Sequence, residues 1–190
     1  MCHASYWSGS DFMRAYLILI LVTFLAGCVA TTPPLSIEEL RDEVRKGPSR
    51  VIVSKHEIPR SFTQAYSAVQ INAERCFEVT VAMPTSENSG TRVNPVRYRS
   101  ESLMTSETTA ETSMQLDKKS FDPMPDGGYY VLLADIEAIS SEKTRLTIYG
   151  VLNGYESVHE SIIAWAQGKN DECPRFPPGA IDQTLTYHNP

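Results

Sequence analysis

The chain has 190 residues, enough for one ordinary domain. Its hydrophobic fraction of 42% and charged fraction of 21% are globular values, which exclude a disordered chain and a multi-span membrane protein. The formal net charge is −6, and no local cluster of Lys and Arg offsets it. Because an acidic surface repels phosphate, we expect no binding to nucleic acid.

A segment near the N-terminus has the organisation of an export signal. Met13 and Arg14 provide a positive start, and residues 15–24 form an uncharged apolar run. This run is shorter than the ~20 residues that a membrane-spanning helix needs. The order therefore predicts a secretory signal peptide over residues 1–27. Since residues 1–12 carry no such chemistry, we expect translation to start at Met13.

The end of this segment, Leu25-Ala26-Gly27-Cys28, resembles the lipobox of bacterial lipoproteins. The resemblance implies that the Cys28 sulfur receives a diacylglyceryl group, that a signal peptidase cuts before Cys28, and that fatty acids such as palmitate anchor the protein. Val29 follows in place of the Asp that retains such proteins at the inner membrane. The resemblance thus implies the outer membrane, on its periplasmic face. The alternative is an ordinary signal, or an uncleaved anchor, that contains a cysteine by chance.

The predicted lipidation of Cys28 divides the rest of the chain into three parts. Residues 28–35 form a lipidated tether that reaches about 20 Å when extended, so the domain works close to the bilayer. Residues 36–173 form a single α+β periplasmic domain, and residues 174–190 form an irregular tail.

Two cysteines remain inside the domain, Cys76 and Cys173. An even pair in an oxidising compartment predicts one disulfide. The competing interpretation is a reactive or metal-binding thiol, which needs a CxxC pair or nearby His ligands. Neither pattern is present in the sequence.

Three serines are each followed three residues later by Glu or Gln, the pattern of a capping box at a helix start. Gly47-Pro48 ends the first predicted helix, and Gly168 ends the third. The first helix is short, with a narrow apolar stripe, and its other faces are charged. The pairs are Ser36/Glu39, Ser61/Gln64 and Ser157/Glu160, and the helices cover about 37–46, 61–75 and 157–167.

Alternating apolar residues predict the strands. The strongest pattern is a hairpin formed by two runs joined at residues 140–144. The segment 96–117 has a weak period of two, which favours two strands with a turn near Ser106, although an exposed disordered segment remains the alternative. The predicted strands are 50–54, 77–83, two within 96–117, 129–138 and 146–152, with a polar loop over 84–94.

The element order predicts an α+β fold. Short connections make the strands antiparallel, so we expect a sheet of about five to six strands with two long helices on one face, plus the short N-terminal helix. This order resembles the helix-grip domains of some assembly-associated outer-membrane lipoproteins and small lipid-carrying proteins. The likeness is one of element order and implies no site residues.

The chemistry-bearing residues form no recognised catalytic or metal motif. His56, His159 and His188 lack ligand spacing, and we expect each to be solvated. Tyr129, Tyr130, Tyr149 and Tyr155 cluster around the hairpin, either as a patch for a ligand or, more simply, as core and cross-strand packing. We therefore predict no catalytic residues, no metal and no cofactor.

The sequence favours a non-enzymatic, membrane-anchored module that binds another envelope protein, with helix 37–46 available as a docking surface beside the membrane. The alternative is a periplasmic carrier that holds a lipid or other apolar small molecule between the sheet and a long helix.

Overall fold

The structure, a computed structural model, describes most of the chain from Pro33 onward. The described residues are 33–45, 51–87, 90–119, 127–151, 155–169, 172–176 and 186–187. They belong to one compact unit that begins at Pro33. The predicted signal peptide and Cys28 lie outside the described residues, as does His188.

Three helices and seven strands form within these ranges. The helices are α1 (Ile37–Arg45), α2 (Phe62–Phe77) and α3 (Glu156–Gln167). The strands are β1 (Val51–Ile58), β2 (Val79–Glu87), β3 (Gly90–Met104), β4 (Thr109–Lys119), β5 (Tyr129–Ser140), β6 (Lys143–Val151) and β7 (Thr186–Tyr187).

All seven strands belong to one antiparallel sheet in the order β1-β6-β5-β4-β3-β2-β7. From β2 to β6 each strand pairs with its neighbour in sequence, as successive short connections require. The predicted α+β class and antiparallel sheet are confirmed. The two-residue strand β7 lies in the segment for which the sequence predicted an irregular tail.

The helices occupy both faces of this sheet. Leu132 and Ala134 of β5 belong to the large core that includes α2 and α3, whereas Leu133 between them contacts α1. Because successive strand residues point to opposite faces, α2 and α3 cover one face and α1 covers the other. We call these the inner face and the outer face. The two long helices on one face confirm the helix-grip-like arrangement.

The inner face carries the main core of the domain. Trp165 of α3 is fully buried, and its ring lies 5.3 Å from that of Phe77 at the end of α2. Beneath the helices, strands β4, β5 and β6 contribute large side chains that are also fully buried. They are Met114, Leu132, Ile136, Leu146 and Ile148.

Two of the three predicted helix starts are confirmed. The hydroxyl of Ser36 accepts from the Glu39 amide at 3.1 Å, and that of Ser61 accepts from the Gln64 amide at 3.4 Å. The third prediction is wrong, since α3 starts after Tyr155 and the Ser157 hydroxyl donates to the carbonyl oxygen of Arg175. The chain beyond α3 therefore takes the hydroxyl that was expected to cap the helix.

The strand boundaries also differ from the predicted ones. Phe77 ends α2 and does not begin a strand, and β1 continues to Ile58. The predicted polar loop over 84–94 is largely a hairpin, in which β2 and β3 pair from Val79↔Tyr98 to Glu87↔Gly90. Backbone hydrogen bonds hold such a pair without an apolar pattern, so the pattern did not reveal it.

Candidate functional site

Helix α1 is fixed to the outer face by a small apolar cluster. Leu40 is fully buried against Val51 of β1 and Leu133 of β5. Ile37 and Val44 flank it on the helix, at the spacing of the predicted stripe. The apolar side of α1 is therefore used inside the domain, and its charged side is the one left for other contacts.

An ion-pair triad supports this docking. The Arg41 guanidinium lies 2.6 Å from a carboxylate oxygen of Glu111 and 2.7 Å from one of Asp135, all three side chains being about a quarter exposed. Glu111 and Asp135 are direct partners across β4 and β5, so their like charges need a cation between them.

The pKa values in the triad reflect these contacts. Burial alone would lower the pKa of Arg41, but its hydrogen bonds to Asp135 and Glu111 raise it above its ordinary value. Burial raises the pKa of Asp135, against the opposing effect of Arg41. Arg41 is therefore a permanent cation that holds two carboxylates together under α1.

The chain just before α1 is also held on the sheet. The buried Pro34 accepts a hydrogen bond through its carbonyl oxygen from the Tyr130 amide at 3.0 Å, and the Glu39 carboxylate accepts from the Leu35 amide at 2.7 Å. The chain that leads back towards Cys28 consequently leaves the described domain beside the start of β5.

Charged residues of α1 and β3 act on Tyr130, whose amide bonds to Pro34. Burial raises the pKa of the Tyr130 hydroxyl, as do the charges of Glu101 and Glu38, while Arg99 opposes them. These three charged side chains are exposed. We define the tether-proximal surface as Glu38, Glu39 and Asp42 of α1 with Arg99 and Glu101 of β3.

The predicted disulfide joins the two inner-face helices. Cys76 in the last turn of α2 is bonded to Cys173 beyond α3, with Cα atoms 5.2 Å apart, inside the range that a disulfide requires. The competing interpretation of a reactive or metal-binding thiol is therefore wrong for this pair, because a bonded sulfur has no thiol to offer.

The C-terminal segment, residues 172–176, is packed against α3 and the sheet. The Trp165 indole donates to the carbonyl oxygen of Glu172 at 3.2 Å, and the Phe176 ring lies 5.0 Å from that of Tyr98. The beginning of the predicted irregular tail therefore closes the core and is not loose.

Two tyrosines form a buried pair beside this segment. The hydroxyls of Tyr98 and Tyr155 are 3.1 Å apart, and their rings meet edge to face with centroids 6.3 Å apart. Burial raises the pKa of both hydroxyls. The pair satisfies two polar groups that the core would otherwise leave without partners.

The four tyrosines around the hairpin do not form one patch. Tyr155 belongs to the inner core, whereas Tyr130 and Tyr149 pack against α1 on the outer face. The sheet therefore separates them, and the packing interpretation holds for these three.

The expected solvation of His159 is wrong. Its side chain is only 7% exposed, because α3 turns it towards β6, where Gly150 leaves room for the imidazole. His159 precedes Ile162 of the apolar stripe by three residues, and this spacing was the signal for its burial. His56 of β1 is partly buried.

The described part of the chain offers no obvious place for a metal ion. Within it, no group of three or more His, Cys, Asp or Glu side chains is positioned to hold one. None of its helices is long and apolar enough to cross a membrane.

The solved structures described below are distantly similar to this chain. No family model and no curated protein matches the chain. Among solved structures it is similar to the di-domain ARO/CYC StfQ from the steffimycin biosynthetic pathway, with 9% identity and a TM-score of 0.31 over 60% of this chain. The chain spans 41% of the length of that protein.

A second solved structure has the same degree of likeness. Norcoclaurine synthase from Thalictrum flavum, in complex with dopamine and hydroxybenzaldehyde, shares 14% identity at a TM-score of 0.29, over 63% of this chain and 84% of that one. At these TM-scores neither structure contributes to the functional argument.

Proposed function

We propose that the protein is a lipid-anchored lipoprotein of the bacterial outer membrane, on the periplasmic face, whose domain binds another envelope protein through the tether-proximal surface without catalysing a reaction. The observation that carries this proposal is the path of the chain around Pro34. Helix α1 begins three residues after Pro34 and is locked onto the outer face, so its charged side borders the point from which the tether leaves.

The geometry of the anchor supports the choice of this surface. If Cys28 carries the lipid, Pro34 follows it by six residues, which reach about 20 Å when extended. The tether-proximal surface then lies in the layer next to the membrane. A protein partner in the same membrane is therefore better placed to contact this surface than the parts of the domain farther from the membrane.

The charge of the surface indicates the kind of partner. Glu38, Glu39 and Asp42 make the exposed side of α1 acidic. Anionic headgroups repel such a surface, whereas basic side chains of a protein complement it and speed association. We therefore assign the surface to a protein partner that presents Lys or Arg.

Site-specific photocrosslinking in living cells tests this assignment. A photoreactive amino acid at Asp42 of α1 should give an adduct with a second protein. The matched position is Ile71 of α2, which is 63% exposed but lies on the helix layer of the inner face and should give none. Adducts of equal yield from both positions, or a self-adduct alone from Asp42, would overturn the proposal.

Native mass spectrometry separates this function from the carrier alternative. Protein released from its anchor should have the mass of the polypeptide alone. A co-purifying apolar molecule lost on unfolding would instead favour the carrier and count against a purely protein-binding role.

A further inference from the structure

Three buried polar atoms lie on strand β1 and helix α3, on the inner face of the sheet. They are the Ser54 hydroxyl oxygen and the Nε2 atoms of His56 and His159, and none has a hydrogen-bond partner among the described residues. Buried polar atoms without partners are uncommon and carry a free-energy cost, so each requires an explanation. Two of the three belong to imidazole rings, one on the strand and one on the helix.

Strand β1 places two of these side chains on one face. Ser54 and His56 are two residues apart, and the register of β1 with β6 sets them opposite Ile148 and Leu146 of the inner core. The same strand continues on this face to Ile58, which is fully buried in that core. Both polar side chains therefore point into the layer between the sheet and the helices.

Helix α3 supplies the third side chain. His159 is 7% exposed, and a Cβ atom added at Gly150 of β6 would lie 2.2 Å from its Nε2 atom. The imidazole thus occupies the space that any other residue at Gly150 would fill. This close approach makes His159 a direct contact between α3 and the sheet.

We propose that His159, buried on α3 and packed against Gly150 of β6, is a pH-sensitive contact that loosens α3 from the sheet when the surroundings become mildly acidic. The contact fits the layer when the imidazole is neutral. A protonated imidazole brings a second donor and a full charge into a site where burial penalises charge. This pH-dependent opening of α3 goes beyond the proposed protein binding and does not depend on it.

The groups around His159 determine the direction of the effect. Burial lowers the pKa of His159 below its ordinary value of 6.5, and His56 of β1 lowers it further, while Glu156 of its own helix opposes them. Strand β6 faces the ring with Gly150, which does not titrate. Because burial is the largest of these effects, the neutral form is favoured in the folded state.

The linkage between protonation and opening follows from this pKa. An opened α3 returns His159 to water, where its pKa is near 6.5, so below that pH the open state binds more protons than the closed one. Opening therefore becomes easier as pH falls from 6.5 towards the pKa of the closed state. The opening equilibrium constant can rise by about tenfold per pH unit in this window.

The disulfide keeps the opening local. Cys173 lies beyond the end of α3 and is bonded to Cys76 of α2, so the chain after α3 stays attached when the helix loosens. At the end of α3, the Arg60 guanidinium donates to the Ala166 carbonyl oxygen at 3.2 Å, which links the last turn of the helix to the chain before α2.

Amide hydrogen exchange of the purified protein tests the proposal. Between about pH 7.5 and about pH 5.5 the opening constant of α3 amides, after correction for intrinsic exchange, should rise by up to about tenfold, while β4 amides stay unchanged. In His159→Gln, which cannot titrate, the rise should disappear. His188→Gln is the matched control and should keep it.

Imidazole titration by NMR is the second measurement, and it serves even if His159→Gln does not fold. The His159 resonances of the unaltered protein should titrate below pH 6.5. A His159 pKa at or above 6.5, an α3 opening constant that does not change with pH, or an equal rise in His159→Gln would overturn the proposal.

Discussion

Cys76 and Cys173 bring the ends of α2 and α3 together, with Cα atoms 5.2 Å apart across a sequence separation of 97 residues. The chain between them contains strands β2 to β6, so one bond closes a loop around most of the sheet. Such a long loop loses much conformational freedom in the unfolded state when it is closed. The bond therefore stabilises the domain as a whole.

Cys76→Ser should lower the free energy of unfolding by about 2–5 kcal/mol, because the unfolded chain regains that freedom. Urea unfolding monitored by Trp fluorescence measures the change. Reduction of the unaltered protein serves as the control and should give a similar loss. If reduction lowers the free energy of unfolding much less than Cys76→Ser does, the serine side chain and not the lost bond is responsible for the effect of the variant.

Leu40→Ala should destabilise the domain by about 2–5 kcal/mol, since it opens a cavity in the cluster beneath α1. Leu35→Ala is the matched control on the same segment. Leu35 is 48% exposed, so its truncation should change stability by no more than about 0.5 kcal/mol. Equal effects of the two variants in urea unfolding would contradict the docking of α1 on the outer face.

Arg41→Met should strengthen the pH dependence of stability that Asp135 causes. Without the cation, burial and the neighbouring Glu111 raise the pKa of Asp135 further above its ordinary value of 3.8. The folded state then holds a proton that the unfolded state has released, so the variant loses stability as pH rises from 3.8 to the new pKa. Urea unfolding as a function of pH measures this slope.

The control for this prediction is Arg145→Met. Arg145 of β6 forms an ion pair at 2.9 Å with Glu137 of β5, the strand that also carries Asp135. Both side chains of this pair are about half exposed. Loss of the Arg145 ion pair should leave the pH dependence of the free energy of unfolding close to that of the unaltered protein. Similar slopes in the two variants would show that the triad under α1 has no special role.

The sequence predicted the fold well where local chemistry decides the structure. Ser61 starts α2 and Gly168 ends α3 in the left-handed conformation that favours glycine. The alternating runs of the β5–β6 hairpin gave its pairing, and the even cysteine count gave the disulfide. Each of these signals lies within a few residues or in the number of cysteines.

The remaining features depend on contacts between distant parts of the chain. Ser157 has the sequence of a helix cap, yet its hydroxyl bonds to the returning segment at Arg175. The register of β4 and β5, together with the packing of α1 on the outer face, brings Arg41, Glu111 and Asp135 together. No spacing along the chain predicts this contact. The candidate surface could therefore not be predicted beyond helix 37–46 itself.

Lipid attachment at Cys28 is the central claim, because the compartment, the orientation of the tether-proximal surface and the identity of the partner all depend on it. Metabolic labelling with palmitate tests it most directly, in cells that produce either the unaltered protein or Cys28→Ser. We expect label in the unaltered protein and, in Cys28→Ser, a longer unlabelled precursor that retains its signal peptide. Normal incorporation of palmitate into Cys28→Ser would contradict the account.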